Sequence, residues 1–223
     1  ILHRLVGSEM CIRDRINSVY ASSGISGLGN EAITITDSVT VAQANAVNAL
    51  TTEVVTGTIS TGDMATLAGL TETGNAYTVT VTDASVAAAA LNTLNAKTTG
   101  VVTVQAATIT GTTADINTAY ASIAAGTING LGNEDLIVND SSIEASLLNS
   151  LDNNTTGTID ASSITALSGT TYEINSVYTS SGISGLGNET ITITDASITV
   201  AQANVISAFT TGIVTANISD GDT

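Results

Sequence analysis

Short stretches in which apolar and polar residues alternate recur along the chain. Ile33-Thr34-Ile35-Thr36 has this pattern, and similar runs occur at residues 79–83, 136–140 and 191–195. Because successive strand side chains point to opposite faces, each run predicts a short strand with Ile or Val on one face and Thr on the other. An aspartate closes each run, namely Asp37, Asp83, Asp140 and Asp195.

A helical spacing of apolar residues follows these aspartates. The residues in question are Ile143, Leu147, Leu148 and Leu151 after Asp140, and Val86, Ala90, Leu91 and Leu94 after Asp83. This spacing predicts a helix with one apolar stripe. The aspartate or a nearby serine is expected to cap that helix, which contributes about 1 kcal/mol.

A second set of strand-like runs alternates with the first. It consists of Val54-Val55, residues 101–104, Thr158-Ile159 and Ile213-Val214. Most copies then carry an INSVY-type segment, at residues 16–20, 116–120 and 174–178, which is also expected to be helical. Each repeat unit is therefore predicted to contain a strand followed by a helix, and then a second strand followed by a second helix.

The chain repeats itself at two levels. SSGISGLGNE occupies residues 22–31 and returns unchanged at residues 180–189, an offset of 158. VAQAN at 41–45 returns at 200–204 after a one-residue insertion. The closing aspartates are separated by 46, 57 and 55 residues. Repeats of this length are typical of stacked architectures.

The glycine-rich segment at residues 22–31 separates the INSVY helix from the next strand. Its glycines are expected to end the helix and to adopt positive φ values, and Ile25 and Leu28 are expected to anchor the loop to the core. Residues 27–32 fit the G-x-G-x-x-A form of a dinucleotide-binding turn, but that motif requires the glycines to precede a helix. Here they precede a strand, which favours a structural loop.

These elements predict an α/β repeat solenoid in which stacked short parallel strands alternate with short helices. A right-handed parallel β-helix with helical insertions is the alternative. One strand with one short helix cannot bury its own apolar face until a neighbour stacks about 4.8 Å away. Residues 16–223 are expected to form about four repeat units of roughly 46 to 57 residues. Both ends fall within a unit, which predicts a piece of a longer array.

Residues 1–15 differ from the rest of the chain. They hold the only His and the only Cys, His3 and Cys11, and three of the four basic residues. LVGSEMCIRDR, at residues 5–15, resembles a translated sequencing adapter. We therefore interpret residues 1–15 as a non-native or disordered segment and exclude it from the fold.

Charge and hydropathy exclude several functional classes. The chain has a net charge of −16, and Lys97 is the sole basic residue after Arg15. Such acidity repels nucleic acid and anionic membranes, so neither is an expected partner. No apolar run approaches the roughly 20 residues of a membrane-spanning helix. Membrane insertion is therefore not expected.

No residue pattern predicts catalysis, a cofactor or a metal site. The four aspartates could form a row that binds calcium ions between coils. Calcium prefers six to eight oxygens, however, and carboxylates on alternate coils would lie about 10 Å apart. We therefore expect these aspartates to cap helices, and we keep a calcium-stabilised repeat as a third hypothesis for the function. Without a distinctive pair of acids or a basic groove, the chain is not expected to be an enzyme.

Three further side-chain sets recur at repeat positions. Tyr20, Tyr120 and Tyr178 are expected to form a stacked, half-buried row. Neighbouring amides of one asparagine set are expected to pair between coils. Threonines alternate along three of the strands and break off where Ile137 and Asn139 replace them, and such rows resemble those of ice-binding solenoids. The asparagines are Asn45, Asn92, Asn149 and Asn204, and the threonines are Thr34, Thr36, Thr78, Thr80, Thr82, Thr192 and Thr194.

INSVYASSGISGLGNEAITITD and LLNSLDNNTTGTIDASSITALSGT resemble the tandem-repeat segments of very large secreted surface proteins of aquatic bacteria. The resemblance covers nearly all of residues 16–223. It implies a structural or adhesion spacer located outside the cell or at its surface. The implied partners are neighbouring repeats of the same polypeptide and a surface ligand. A threonine-rich surface that binds ice or mineral is the alternative function.

Overall fold

The computed structural model describes residues 12–60 and 62–219, with the side chains of residues 12–15 left out. Most of the segment interpreted as non-native, residues 1–11, lies outside the described residues. Residues 12–15 belong to the first helix, which begins at Ile12.

The described residues form eight helices and fourteen strands. The helices are α1 Ile12–Tyr20, α2 Val41–Asn48, α3 Met64–Leu67, α4 Ala88–Ala96, α5 Thr113–Ala124, α6 Ala145–Asp152, α7 Thr171–Thr179 and α8 Val200–Ser207. The strands are β1 Ile33–Val39, β2 Val55–Ile59, β3 Ala76–Val81, β4 Ser85–Ala87, β5 Val102–Val104, β6 Thr108–Gly111, β7 Ile128–Asn129, β8 Asp135–Val138, β9 Ser142–Glu144, β10 Ile159–Asp160, β11 Ala166–Gly169, β12 Ile183–Ser184, β13 Thr190–Ile193 and β14 Val214–Thr215.

The chain is an α/β protein that divides into two compact units. The first comprises the described residues up to Asp83 together with Thr93–Gln105 and Ala125–Asn129, and it contains the sheet β1-β2-β3-β5-β7. The second comprises Ala84–Asn92, Ala106–Ala124 and the described residues from Gly130 onward, and it contains the sheets β12-β10-β8-β6-β4 and β14-β13-β11-β9. Among the described strands, none of the sheets closes into a barrel.

Every pair of neighbouring strands is parallel and joins residues 20 to 27 positions apart. Ile33 lies beside Val55, for example, and Leu167 lies beside Ile191. We use the word coil for the stretch of chain between one strand and its neighbour in the same sheet. A coil is about half as long as the spacing between the closing aspartates.

The alternating strands are confirmed. In β1, Ile33 and Ile35 are buried whereas Thr34 and Thr36 are exposed, and β13 repeats this pattern. The buried faces consist mainly of Ile, Val and Leu, so most strands contribute aliphatic side chains to the core, whereas β12 and β14 contain no buried residue. One detail is different: β1 continues past Asp37 to Val39, because a bulge between Thr34 and Ser38 adds residues to its pairing with β2.

Both predicted helices are present as α4 and α6, and the predicted stripe residues Leu91, Leu94, Leu148 and Leu151 are buried, but the rest of each stripe is wrong. Ile143 belongs to β9 and Val86 to β4, so both precede the helices in which we expected them. In α6 the buried residues are Ala145, Leu148 and Leu151, whereas Leu147 is 42% exposed. The apolar spacing therefore spans a strand and a helix, because Ile143 of β9 is buried before α6 begins at Ala145.

The predicted caps of the following helices are also wrong. Helices α2 and α8 are capped by Thr40 and Thr199, each in a capping box with a glutamine three residues later. Glu144 is the N-cap residue of helix α6, and its side chain makes no capping hydrogen bond. Asp83, Asp140 and Asp195 have other partners, described below.

The positive φ values of the loop glycines are confirmed. Gly27 and Gly29 have φ values of 83° and 123°, and the other two GLGNE copies repeat this geometry. Anchoring by Ile25 and Leu28 is wrong, because their side chains are 47% and 37% exposed. In the other two copies the loop contains a two-residue strand, β7 or β12, and pairing with a neighbouring coil buries Ile128 of β7 completely.

Candidate functional site

The glutamate of each GLGNE segment folds back onto its own loop. Glu31, Glu134 and Glu189 accept hydrogen bonds from the backbone N–H groups of Gly29, Gly132 and Gly187, at 2.7 to 2.9 Å. Glu134 and Glu189 are almost completely buried. A buried carboxylate is tolerated only where hydrogen bonds replace its water, and here loop amides supply them. These carboxylates therefore close the loop.

Tyrosines complete two of these three loops. The hydroxyl of Tyr20 donates to Glu31 Oε2 at 2.6 Å, and that of Tyr120 donates to Glu134 Oε1. Tyr178 instead stacks on Phe209, with ring centroids 4.7 Å apart. The three tyrosines are half-buried or buried, as expected. The stacked row is wrong, because each tyrosine has its own partner within the loop or the neighbouring coil.

Hydrogen bonding controls the ionisation of this pair in the first copy. The Tyr20 hydroxyl and the Gly29 N–H hold the pKa of Glu31 below its ordinary value, and the same hydrogen bond raises the pKa of Tyr20. Burial, followed by the hydrogen bond to Glu134, raises the pKa of Tyr120. In the first copy, the hydrogen bond between the two side chains favours the Glu31 carboxylate and the neutral Tyr20 phenol.

Tyr20→Phe is expected to raise the pKa of Glu31 toward the value of an ordinary glutamate, because the carboxylate loses its strongest hydrogen bond. Carboxyl-carbon NMR titration measures this directly. A folded pKa below the unfolded value of about 4.3 contributes stability above that pH, which is lost as the pH falls through the folded pKa. The variant should therefore lose less stability on acidification than the parent. An unchanged Glu31 midpoint would show that the hydrogen bond has no role.

Two adjacent threonines on the next coil hold each GLGNE loop. The hydroxyls of Thr51, Thr155 and Thr210 donate to the carbonyls of Glu31, Glu134 and Glu189, at 2.6 to 2.7 Å. The backbone N–H groups of the following threonines, Thr52, Thr156 and Thr211, donate to the carbonyls of Gly29, Gly132 and Gly187, at 2.8 to 2.9 Å. We call this arrangement the Thr-Thr clasp. It joins each loop to the coil that follows it.

The residue after the clasp is glycine in two of these three copies. A Cβ atom at Gly157 or Gly212 would lie far inside van der Waals contact with the Glu134 or Glu189 carbonyl. Gly157 and Gly212 donate their N–H groups to the clasp threonine, at 3.0 and 2.9 Å. The close approach of two backbones therefore requires glycine here. The first copy has Glu53 in this position.

Three of the four closing aspartates cap helices, but these helices belong to preceding coils. Asp83, Asp140 and Asp195 accept hydrogen bonds from the first residues of α3, α5 and α7, namely Met64, Thr113 and Thr171, at 2.6 to 2.7 Å. These partners lie 19 to 27 residues earlier in the sequence. The caps therefore join neighbouring coils.

Asp140→Ala is expected to lower the free energy of unfolding by about 1 kcal/mol, because it removes the acceptor for both the N–H and the hydroxyl of Thr113. Urea unfolding measures the loss. Glu144→Ala is the matched control, since it removes one negative charge from an exposed side chain that makes no cap hydrogen bond. Equal losses in the two variants would assign the effect to charge and contradict the capping role.

The asparagine set also joins neighbouring coils, but by another route. Asn45, Asn92 and Asn149 donate from Nδ2 to the carbonyls of Gly69, Asp115 and Glu173, at 2.8 to 3.0 Å. The expected pairing of side-chain amides with one another is wrong at these three positions. The backbone of the next helix or turn comes close enough to accept the bond, so each asparagine bonds to main chain 23 or 24 residues ahead.

Threonines cover the outer face of the first compact unit's sheet. Thr34 lies beside Thr56, Thr58 lies beside Ser38 and Thr78, and Thr80 lies beside Thr103. The outward placement of Thr34, Thr36 and Thr78 is confirmed, and Thr80 is partly exposed. Sequence inspection found the rows on β1 and β3. It missed Thr56 and Thr58, which flank Gly57 in β2, and Thr103, which lies in the three-residue strand β5.

Comparisons with protein-family models, curated proteins and solved structures gave no match. No helix in residues 12–60 and 62–219 is long and apolar enough to cross a bilayer. Within the same ranges, no group of three or more His, Cys, Asp or Glu side chains is arranged to hold a metal ion. The contacts between coils and the threonine face are the features described above that could serve a function.

Proposed function

We propose that this chain is a structural spacer of a large extracellular or cell-surface protein, built from stacked solenoid coils and without catalytic activity of its own. The Thr-Thr clasp is the observation that carries this proposal. Three GLGNE loops bind the following coil through the same pair of hydrogen bonds. A contact that is repeated in one direction from coil to coil lets length increase with the number of repeats.

The use of the acidic residues supports a non-catalytic role. Glu31, Glu134 and Glu189 bind their own loops, and Asp83, Asp140 and Asp195 bind helix N-termini. Carboxylates that act in general acid–base catalysis must reach a substrate, whereas these reach backbone amides. The net charge of −16 favours solubility and disfavours nucleic acid. The proposed partners are neighbouring repeats and a ligand on a surface.

Small-angle scattering from chains of different length tests the spacer. Residues 180–189 repeat residues 22–31, so a second copy of residues 22–179 inserted after Thr179 keeps the repeat in register. We expect each inserted copy to add the same increment to the maximum dimension. Growth as the cube root of chain length, which is typical of one enlarging globule, would contradict the proposal.

The threonine face supports a second candidate function, binding of an ordered lattice such as ice or a mineral. Across the strands of the first compact unit's sheet the threonines repeat about every 4.8 Å, and along one strand they repeat about every 6.6 Å. Each threonine presents a hydroxyl and a methyl group. A regular grid of this kind is suited to a repeating array of water molecules or ions.

Thr58→Leu tests this second function, because Thr58 has a neighbour in the row on both sides. The variant should lose ice-shaping or mineral adsorption. Thr118→Leu is the matched control, as it changes an exposed threonine on helix α5. A parent protein that neither shapes ice nor adsorbs to mineral would eliminate the lattice hypothesis.

A further inference from the structure

One repeated sequence is buried in its first copy and exposed in its second. VAQAN forms the start of both α2 and α8, yet Val41 is 8% exposed and the matching Val200 is 54% exposed. The segment that follows each helix shows the same contrast. Ile59, at the end of β2, is 2% exposed, whereas the matching Ile218, which lies beyond the end of β14, is 46% exposed. Sequence alone therefore does not determine the burial of these two segments.

The coil at residues 62–81 covers the first copy. Its strand β3 pairs with β2, where Thr56 lies beside Ala76. Its turn packs on α2, since a Cβ at Gly69 would lie 3.4 Å from Val41 Cγ1. Asn45 of α2 bonds to this turn in both directions, donating to Gly69 O at 2.8 Å and accepting from Thr71 N at 3.3 Å.

In the second copy, the groups that match Val41, Asn45 and Ile59 have no coil like residues 62–81 packed on them in the described residues. In the described residues β14 pairs only with β13 and forms the end of its sheet. On α8, Val200 and Asn204 are exposed. We define the α8–β14 face by Val200, Asn204, Thr215 and Ile218. It combines an apolar surface, a side-chain amide and an open strand edge.

We propose that the α8–β14 face binds a further coil of the same repeat type, with a sequence like that of residues 62–81. The strand of that coil extends the sheet β14-β13-β11-β9 beside β14. The turn of the same coil covers Val200 and accepts a hydrogen bond from Asn204. This inference rests on the proposed spacer function, because both require coils to stack. It adds the location and the sequence type of the next contact.

Continuity and charge both favour this occupant. Helices α5, α6, α7 and α8 pack in succession, so the α8–β14 face continues an existing row of contacts. Neither α8 nor residues 212–219 contain a charged residue, although the chain carries a net charge of −16. An uncharged face lets another acidic repeat approach without strong repulsion. An open strand edge beside apolar surface is also the type of site that accepts an added strand.

The test extends the full chain. Residues 210–223 match residues 51–64, so residues 65–105 appended directly after Thr223 continue the repeat in register. We expect the amides of α8 to exchange their hydrogens about tenfold more slowly in the extended chain. The control carries the same extension with Leu67→Asp in the appended copy, because Leu67 is completely buried in its own coil. It should leave α8 exchange at the parent rate.

A second variant separates docking from a general gain in stability. Asn204→Ala in the extended chain should reduce the protection of α8 while the amides of α6 remain unchanged. Equal α8 exchange in the extended and parent chains would overturn the inference, as would an appended segment that gains no protection. A further outcome would also overturn the inference: the unextended chain could form a dimer in sedimentation, and the protection of its α8 amides could rise with protein concentration. That result would assign the α8–β14 face to a second copy of the chain. If each inserted copy still adds the same increment to the maximum dimension in the scattering experiment, the spacer function stands even when this inference fails.

Discussion

Leu148→Ala should lower the free energy of unfolding by about 3 kcal/mol, whereas Leu147→Ala should change it by less than about 0.5 kcal/mol. Leu148 is completely buried and Leu147 is 42% exposed, although the two are adjacent on helix α6. Removing a buried isobutyl group loses its transfer free energy and leaves a cavity. The exposed side chain loses little contact, because water already surrounds much of it.

Urea unfolding of the two variants measures both quantities on one helix. The slope of the unfolding free energy with urea should stay constant, since neither change alters the surface that unfolding exposes. The pair also tests the phase of the helix. A larger loss for Leu147→Ala than for Leu148→Ala would contradict the burial described above.

Gly157→Ala should lower the free energy of unfolding by about 3 kcal/mol, near the upper end of typical overpacking costs. The new Cβ would collide with the Glu134 carbonyl and lie 2.9 Å from the Asp135 backbone nitrogen. Both groups belong to main chain that the Thr-Thr clasp holds in place. The coils must therefore separate, which also weakens the hydrogen bond from Thr155 to Glu134.

Gly24→Ala is the matched control for this substitution. The nearest atom to a Cβ at Gly24 is Ser22 Oγ at 3.8 Å, which is ordinary van der Waals contact. We expect a change of less than about 0.5 kcal/mol there. Thermal or urea unfolding compares the two variants. Equal stabilities for Gly157→Ala and the parent would show that the two backbones do not approach as closely as the clasp requires.

Local patterns predicted the strands well. The alternation in Ile33-Thr34-Ile35-Thr36 and its copies depends only on which face of the sheet is buried, and this information is contained within four residues. The positive φ values at Gly27 and Gly29 were predictable for the same reason. Both predictions concern backbone preferences that neighbouring coils do not override.

Predictions that depended on distant partners failed. Asp140 caps a helix that begins 27 residues earlier, so inspection of the helix that follows it gave the wrong partner. Ile143 pairs with Leu167 of the next coil and is therefore in a strand, although its spacing from Leu147 is helical. The side-chain spacing within a segment does not reveal these contacts.

The role of the GLGNE glutamate was also missed. Glu31, Glu134 and Glu189 occur at the same position of the motif, and each accepts a hydrogen bond from the N–H of the glycine two residues earlier. The sequence signal for this role was the recurrence of one acidic residue in a loop whose other residues are uncharged and mostly small. Its burial depends on the folded loop and on the threonines of the next coil, which the motif alone does not contain.

Successive coils lie in register, and one row of residues across the sheet β14-β13-β11-β9 tests this register most directly. Glu144, Ser168, Thr192 and Thr215 are consecutive partners on parallel strands. Neighbouring positions in such a row lie about 4.8 Å apart, which is within the range of a disulfide. Positions two strands apart are separated by about 9.6 Å, which is beyond that range.

Cysteine pairs introduced into this row should therefore report the stacking. With Cys11→Ser removing the native thiol, Ser168→Cys with Thr192→Cys is expected to form an intramolecular disulfide rapidly on mild oxidation. Glu144→Cys with Thr192→Cys should remain reduced under the same conditions, as measured by thiol labelling and mass spectrometry. Rapid closure of the adjacent pair alone is the predicted result. Equal closure of both pairs, or closure of the distant pair alone, would contradict the register on which the stacked coils depend.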